Sequence, residues 1–255
     1  MKLSRAAFAL LAGFGLAPLA AAPAGAETVD TTDRAAIEAI VRDYLMANPE
    51  VIRDAMAALE RKQAEAEDAA RAAAIADASD MLFSSPRQVV LGPKDAPITL
   101  VEFFDYNCGY CKRALGDMQK ILDEEKDVKI VLKEFPILGP GSVEAAKIAV
   151  AVNLVAPEKY ADFHGALLAI RGQADKGKAL DAAEEAGLDR ATVEARSDDP
   201  EVGKTIEEAY EIASRLGLSG TPTYVIGEEV VFGAVGYDEL KDKIAAMRNC
   251  GKATC

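Results

Sequence analysis

Cys108 and Cys111 stand three residues apart at a point where the chain changes character. Upstream, Ile98-Thr-Leu-Val-Glu-Phe-Phe104 is an apolar run bounded by turn residues, the pattern of a buried β-strand. Downstream, from Lys112 to about Leu122, apolar residues recur at helical spacing. Two cysteines in the first turn of a helix that follows a strand make a redox site. Helix N-termini carry partial positive charge and unpaired N–H groups, which favour thiolate over thiol on the first cysteine. Cys108 is therefore the expected nucleophile.

A second chemical signal lies far downstream. Gly220-Thr221-Pro222-Thr223 directly precedes the apolar run Thr223-Tyr-Val-Ile226. A proline there removes a ladder N–H, so it belongs at the first position of a strand or on an edge. The four cysteines could in principle share a zinc ion. Against zinc, one pair sits between strand and helix, and the other, Cys250 and Cys255, sits five apart at the chain terminus.

The elements that must position these groups follow from the rest of the chain. Its 255 residues suffice for one domain plus an extension, and 50% hydrophobic with 28% charged residues supports a packed core. Lys2 and Arg5, the apolar stretch Ala6 to Leu19 and the small residues Ala24-Gly25-Ala26 have the form of a secretory signal peptide. Residues 1–26 are thus expected to be cleaved, leaving an exported protein, periplasmic in a Gram-negative source. The net charge of −13, less the two positives Lys2 and Arg5, becomes −15. Such an acidic body argues against nucleic acid or an anionic membrane as partner. Four cysteines suit an oxidising compartment.

Residues 27–82 form a helical region. Ile37, Ile40, Val41, Tyr44 and Leu45 make one apolar face, Asn48-Pro49 starts a new helix, and Val51, Ile52, Ala55, Met56 and Leu59 make another face. From Glu60 to Ala78 the chain is rich in Ala, Glu, Lys and Arg, strong helix formers with little apolar face, and reads as a stalk. The bland reading packs these helices on the catalytic domain or leaves them a loose tail. Apolar faces without an evident intrachain partner favour the sharper reading, a homo-oligomer formed through residues 27–82.

Residues 83–255 read as one α/β domain. Arg87–Leu91, Ile98–Phe104 and Asp127–Phe135 are strands, with a helix between the second and third, which implies a parallel βαβ unit with a right-handed crossover. Residues of about 138–218 are a helical insertion. Thr223–Ile226 and Glu229–Phe232 form a hairpin, and a last helix starts at Tyr237.

This arrangement resembles the DsbA family of thioredoxin-fold thiol–disulfide oxidoreductases. The resemblance is carried by Val-Glu-Phe-Phe-x-Tyr-x-Cys-Gly-Tyr-Cys, Lys133-Glu-Phe-Pro-Ile-Leu-Gly139, the Phe163-His164-x-Ala-Leu helix and Gly-Thr-Pro-Thr. With its helical extension the chain looks most like the oligomeric, ScsC-like members. The resemblance implies a thioredoxin fold, Cys108 as attacking cysteine, Cys111 as buried resolving cysteine, and a cis Thr221–Pro222 bond whose backbone pairs with an extended client. Gly109 and Tyr110, between the cysteines, would flank that client. The pair here is Gly-Tyr rather than DsbA's own Pro-His, so an equally oxidising potential is not implied.

Glu102, six residues before Cys108, falls where the family places a glutamate. A carboxyl beneath the site, its pKa raised by desolvation, could relay the proton of Cys111, and the bland reading is a strand-edge ion pair. Lys133 on the neighbouring strand would hold that carboxylate ionised. His164, the sole histidine, reads as structural, and Cys250–Cys255 as a structural disulfide. No cofactor is expected. The expected partners are exported clients bearing thiols or disulfides and a membrane redox partner. An assembly of several sites favours isomerase or reductase work over a dithiol oxidase. From another class, Cys108 and Cys111 could hold Cu(I) for copper tolerance, since soft thiolates suit that ion.

Overall fold

The computed structural model describes residues 31–255, and these divide into two units, one ending at Leu59 and the other spanning Glu60–Cys255. The expected leader lies outside the described residues.

In the first unit, helix α1 (Thr31–Ala47) stops where Asn48 turns its side-chain amide back onto the Tyr44 carbonyl at 2.9 Å. Pro49, which has no N–H to give, then opens helix α2 (Glu50–Asp77). Ile37, Ile40, Val41 and Tyr44 of α1 and Ile52, Met56 and Leu59 of α2 are all exposed.

The second unit is built on a five-stranded sheet. After the distal part of α2 come α3 (Ser79–Phe83), β1 (Val89–Leu91), β2 (Ile98–Phe104), α4 (Gly109–Glu124) and β3 (Val128–Glu134). The insertion follows as α5 (Pro140–Val155), α6 (Tyr160–Ala169), α7 (Lys176–Glu185), α8 (Arg190–Arg196) and α9 (Pro200–Leu216). The chain returns to the sheet with β4 (Thr223–Ile226) and β5 (Glu229–Phe232) and ends on α10 (Tyr237–Cys250). Strand order is β1-β3-β2-β4-β5, with β2 and β3 parallel and every other pair antiparallel. This is an α/β thioredoxin fold with a helical insertion. Three insertion helices begin on capping aspartates: Asp175, Asp189 and Asp199 each accept a backbone N–H of the helix they open.

Side chains alternate across β2, and that alternation makes two cores. Ile98, Leu100 and Phe104 pack toward α4, α5 and α6, together with Ile121, Ile148 and Phe163. Val101 and Phe103 pack on the opposite face, with Val131, Val225, Ile212 and Leu216. That second face is closed by Ile75, Ala78 and Leu82. The expected stalk therefore ends inside the fold rather than beside it. Ile75 at the end of α2, Ala78 at the junction and Leu82 of α3 seat together on the sheet, with Ala74, Met81 and Phe83 packed beside them.

Candidate active site

β2 delivers Cys108 to the N-cap position of α4, where the cysteine takes extended backbone angles and its sulfur accepts the Cys111 N–H at 3.4 Å. The turn between strand and helix is fixed by Asp105. Its backbone carbonyl accepts the Cys108 N–H at 3.0 Å. Its buried carboxylate accepts three more amides, those of Asn107 at 2.7 Å, Ile137 at 2.8 Å and Leu138 at 2.9 Å. Asn107 makes an amide pair with the insertion: Oδ1 accepts from the Ala174 N–H at 2.6 Å and Nδ2 donates to the Ala174 carbonyl at 3.0 Å. Nδ2 also reaches Ser142 Oγ at 2.9 Å. Gly141 leaves room for this pairing, since a Cβ there would lie 2.7 Å from the Ala174 oxygen.

The Thr221–Pro222 peptide bond is cis. It brings the Thr221 carbonyl to 3.1 Å from Cys108 Sγ, and the thiol donates to it. The Pro222 carbonyl beyond accepts the Gly233 N–H at 2.9 Å, which ties the turn to the β4–β5 hairpin. Residues 113 apart in sequence thus meet around one sulfur.

The two thiols are unequal. A hydrogen bond from the Cys111 thiol, helped by the Tyr110 and Cys111 N–H groups and opposed by burial, brings Cys108 down to about 5. Cys111 is pushed far above its ordinary value, first because its hydrogen bond to Cys108 is made by the protonated form and then by burial. Cys108 is 5% exposed and Cys111 1%. Both are buried, so what separates them is acidity: Cys108 favours the thiolate and Cys111 the thiol. Between them Gly109 meets nothing within 4 Å of where a Cβ would sit, and Tyr110 is 58% exposed with the Arg113 guanidinium 4.2 Å over its ring.

Glu102 lies on the Cys111 side of the sheet, level with Tyr224 of β4. Burial, then the charges of Cys108 and Asp117, raises it to about 8. Lys133 does not hold it ionised. Parallel pairing sets Lys133 level with Phe103, on the other face, where it donates to the Met81 carbonyl at 2.6 Å and pairs with Glu208 at 3.2 Å. Burial, only partly offset by Glu208, lowers its pKa.

His164 belongs to a second buried cluster. Tyr160 donates to Glu134 at 2.6 Å, and the Tyr106 hydroxyl lies 3.1 Å from His164 Nδ1. Burial alone takes His164 down to about 3, so it is neutral, and it raises Glu134 well above the carboxylate range. Cys250 and Cys255 are joined by a disulfide at the end of α10. Among the described residues, no three His, Cys, Asp or Glu side chains converge as a metal site.

Reading the sequence did not find Asp105 or Asn107. The usable signal was their type: Asp and Asn just past a strand commonly turn the backbone by bonding nearby amides.

Comparison with known proteins agrees with this geometry. Residues 99–245 match the DSBA-like thioredoxin domain, and residues 33–66 match the copper resistance protein ScsC N-terminal domain. Disulfide bond formation protein D of Bacillus subtilis is 29% identical over 167 residues, which is 62% of this chain and 75% of that protein. A thioredoxin-like oxidoreductase from Silicibacter pomeroyi is 38% identical, with a TM-score of 0.64 over 67% of this chain and 98% of that one. A linker-deletion variant of Proteus mirabilis ScsC is 30% identical, with a TM-score of 0.65 over 85% of this chain and 95% of that one.

Proposed function

This chain belongs to the DSBA-like thioredoxin family and is a thiol–disulfide oxidoreductase, and from that premise we propose that it isomerises or reduces disulfides in exported client proteins. The observation that carries this reading is Cys108, a thiolate-prone sulfur held 3.1 Å from the Thr221 carbonyl at the start of a strand. An extended client segment pairs with that backbone and presents its sulfur to Cys108.

The chemistry balances as two displacements. Cys108 thiolate attacks one sulfur of a client disulfide, forming the mixed disulfide and releasing the other client sulfur as thiolate. In isomerisation that thiolate, or another in the client, attacks back at a different sulfur and regenerates Cys108 with no net electron transfer. In reduction Cys111 loses its proton to Glu102, attacks Cys108 Sγ and expels the client thiolate. Cys108–Cys111 is then oxidised by two electrons and the client reduced by two, and a membrane redox partner returns those electrons. Both routes start from Cys108 as thiolate, the form that a pKa of about 5 supplies at neutral pH.

The remaining parts of the reading concern place and assembly. Residues 1–26 act as a cleaved leader to the periplasm, residues 27–82 join copies, and residues 83–255 carry the chemistry. Supporting assembly are the exposed apolar side chains of α1 and early α2 and the match of residues 33–66 to an ScsC N-terminal domain. Reactivation of scrambled, fully oxidised ribonuclease tests the isomerase direction. Failure there, with rapid oxidation of reduced ribonuclease, would instead make the protein a dithiol oxidase. A second reading, Cu(I) held by the Cys108 and Cys111 sulfurs, is favoured by that same N-terminal match. Under it Cys108→Ser loses its copper, and unchanged stoichiometry excludes the dithiol as the site.

A further inference from the structure

Several described lysines and arginines form no ion pair, and four of them lie in the segments that flank the redox site. Among the described residues Lys112, Arg113, Arg171 and Lys178 have no ion-pair partner, while nearby Lys176 pairs with Glu194 at 2.8 Å. Lys112 Nζ instead donates to the Ile170 carbonyl at 3.0 Å and the Gly172 carbonyl at 3.1 Å. Lys178 Nζ donates to the Arg171 carbonyl between them at 3.3 Å. Two ammonium groups thus share three consecutive carbonyls of one loop. The acids of the same region are otherwise engaged: Asp175 accepts the Lys178 N–H at 2.9 Å and Glu144 the Lys176 N–H at 3.3 Å.

This loop is stapled to the nucleophile. Asn107, next to Cys108, holds Ala174, and Lys112, next to Cys111, holds residues 170 and 172. Arg113, one residue on from Lys112, stands over Tyr110, which lies between the cysteines. An ammonium has three donors and a guanidinium five. Lys112 keeps one donor free, Lys178 two, and Arg113 its whole fork. Like charges held together without a counter-ion repel, so an arriving anion relieves that repulsion while satisfying the free donors.

We infer that these four cations form a rim that binds a carboxylate-bearing stretch of the client polypeptide next to its reacting cysteine. The inference rests on the exchange reading above and adds a substrate preference to it. The body of the protein, at −15 without Lys2 and Arg5, repels acidic segments, and the rim reverses the local field where the sulfur must be reached. Arg113 and Arg171 are exposed and Lys112 and Lys178 half-buried, and charges within reach of solvent act on encounter rate and are screened by salt.

The test uses the reduced full chain and three disulfide peptides that differ only in flanks: Asp/Glu, Ser/Gln or Lys/Arg. At about 20 mM salt the acidic peptide is expected to react about tenfold faster than the basic one, and at about 500 mM salt the ratio falls to within about twofold. Arg171→Glu with Lys178→Glu inverts the preference, and Lys178→Arg keeps it. Equal rates for wild type at low salt overturn the inference, as does a preference that survives charge reversal. Cysteine-to-serine versions of the peptides, followed by anisotropy, report the same ratio as affinities. A chain that binds them with acidic preference yet exchanges none would sink the exchange reading and leave the rim standing.

Discussion

Glu102 and Lys133, on adjacent parallel strands, project from opposite faces of the sheet, because Glu102 is level with Leu132 and Lys133 with Phe103. A carboxyl beneath the cysteines therefore has no cation of its own strand pair to stabilise its charge, and the buried ammonium serves the other core. The two residues are separable by mutation.

Glu102→Gln is expected to slow resolution of the mixed disulfide by about a hundredfold, the usual contribution of a positioned proton acceptor. The inflection near pH 8 in single-turnover decay should vanish with it. The same change should stabilise the protein. Burial lifts Glu102 from 4.5 to about 8, so the stability attached to this carboxyl is complete below pH 4.5 and is lost as pH rises toward 8. Urea unfolding at pH 8 should show the glutamine variant ahead by ~2–4 kcal/mol, with the difference gone near pH 4.

Lys133→Met should behave in the opposite way. It removes the pairing with Glu208 and the bond to the Met81 carbonyl on the face away from the cysteines. We expect a stability loss of ~1–3 kcal/mol. The pH profile of Cys108 alkylation should not move, and a shifted profile would place Lys133 in the redox site after all.

Cys108 alkylation by iodoacetamide should rise with a midpoint near pH 5. Because the folded pKa lies below the ordinary 9.0, the reduced form gains stability over the oxidised form as pH rises from 5 toward 9 and loses it as pH falls through 5. Cys111→Ala removes the hydrogen bond that contributes most to this lowering, so its midpoint should move up. Cys111→Ser, which keeps a donor, should move less and should accumulate client adducts.

Asn107→Ala breaks the amide pair with Ala174 and should cost ~1–3 kcal/mol in urea unfolding. Gly141→Ala attacks the same pair from the other side, since its Cβ would press on the Ala174 oxygen. The double variant should then be no worse than Asn107→Ala alone. Additive effects would mean the two residues act separately.

Local patterns made much of this molecule legible. The apolar run before Cys108, the helical period after it and the Thr221-Pro222 strand entry each lie within a dozen residues, and each marks an element that forms. What stayed hidden depends on distant pairing. Asn107 meets Ala174 across 67 positions, and Asp105 meets Ile137 and Leu138 across 32 and 33. Lys133 reads as a strand lysine, but which core it enters is set by cross-strand register. Ile75 looks like an exception in an alanine-rich helix until the open face of the sheet is there to receive it.

The alternation of β2 has a consequence for how such a protein can be altered. Its even positions, Leu100, Glu102 and Phe104, adjoin the cysteines' side, and its odd positions, Val101 and Phe103, adjoin α3 and α9. The strand works as a two-channel record, with one parity shared by packing and reactivity and the other given to packing alone. A designer who rewrites only odd positions can change how long the protein lasts without changing what it reacts with.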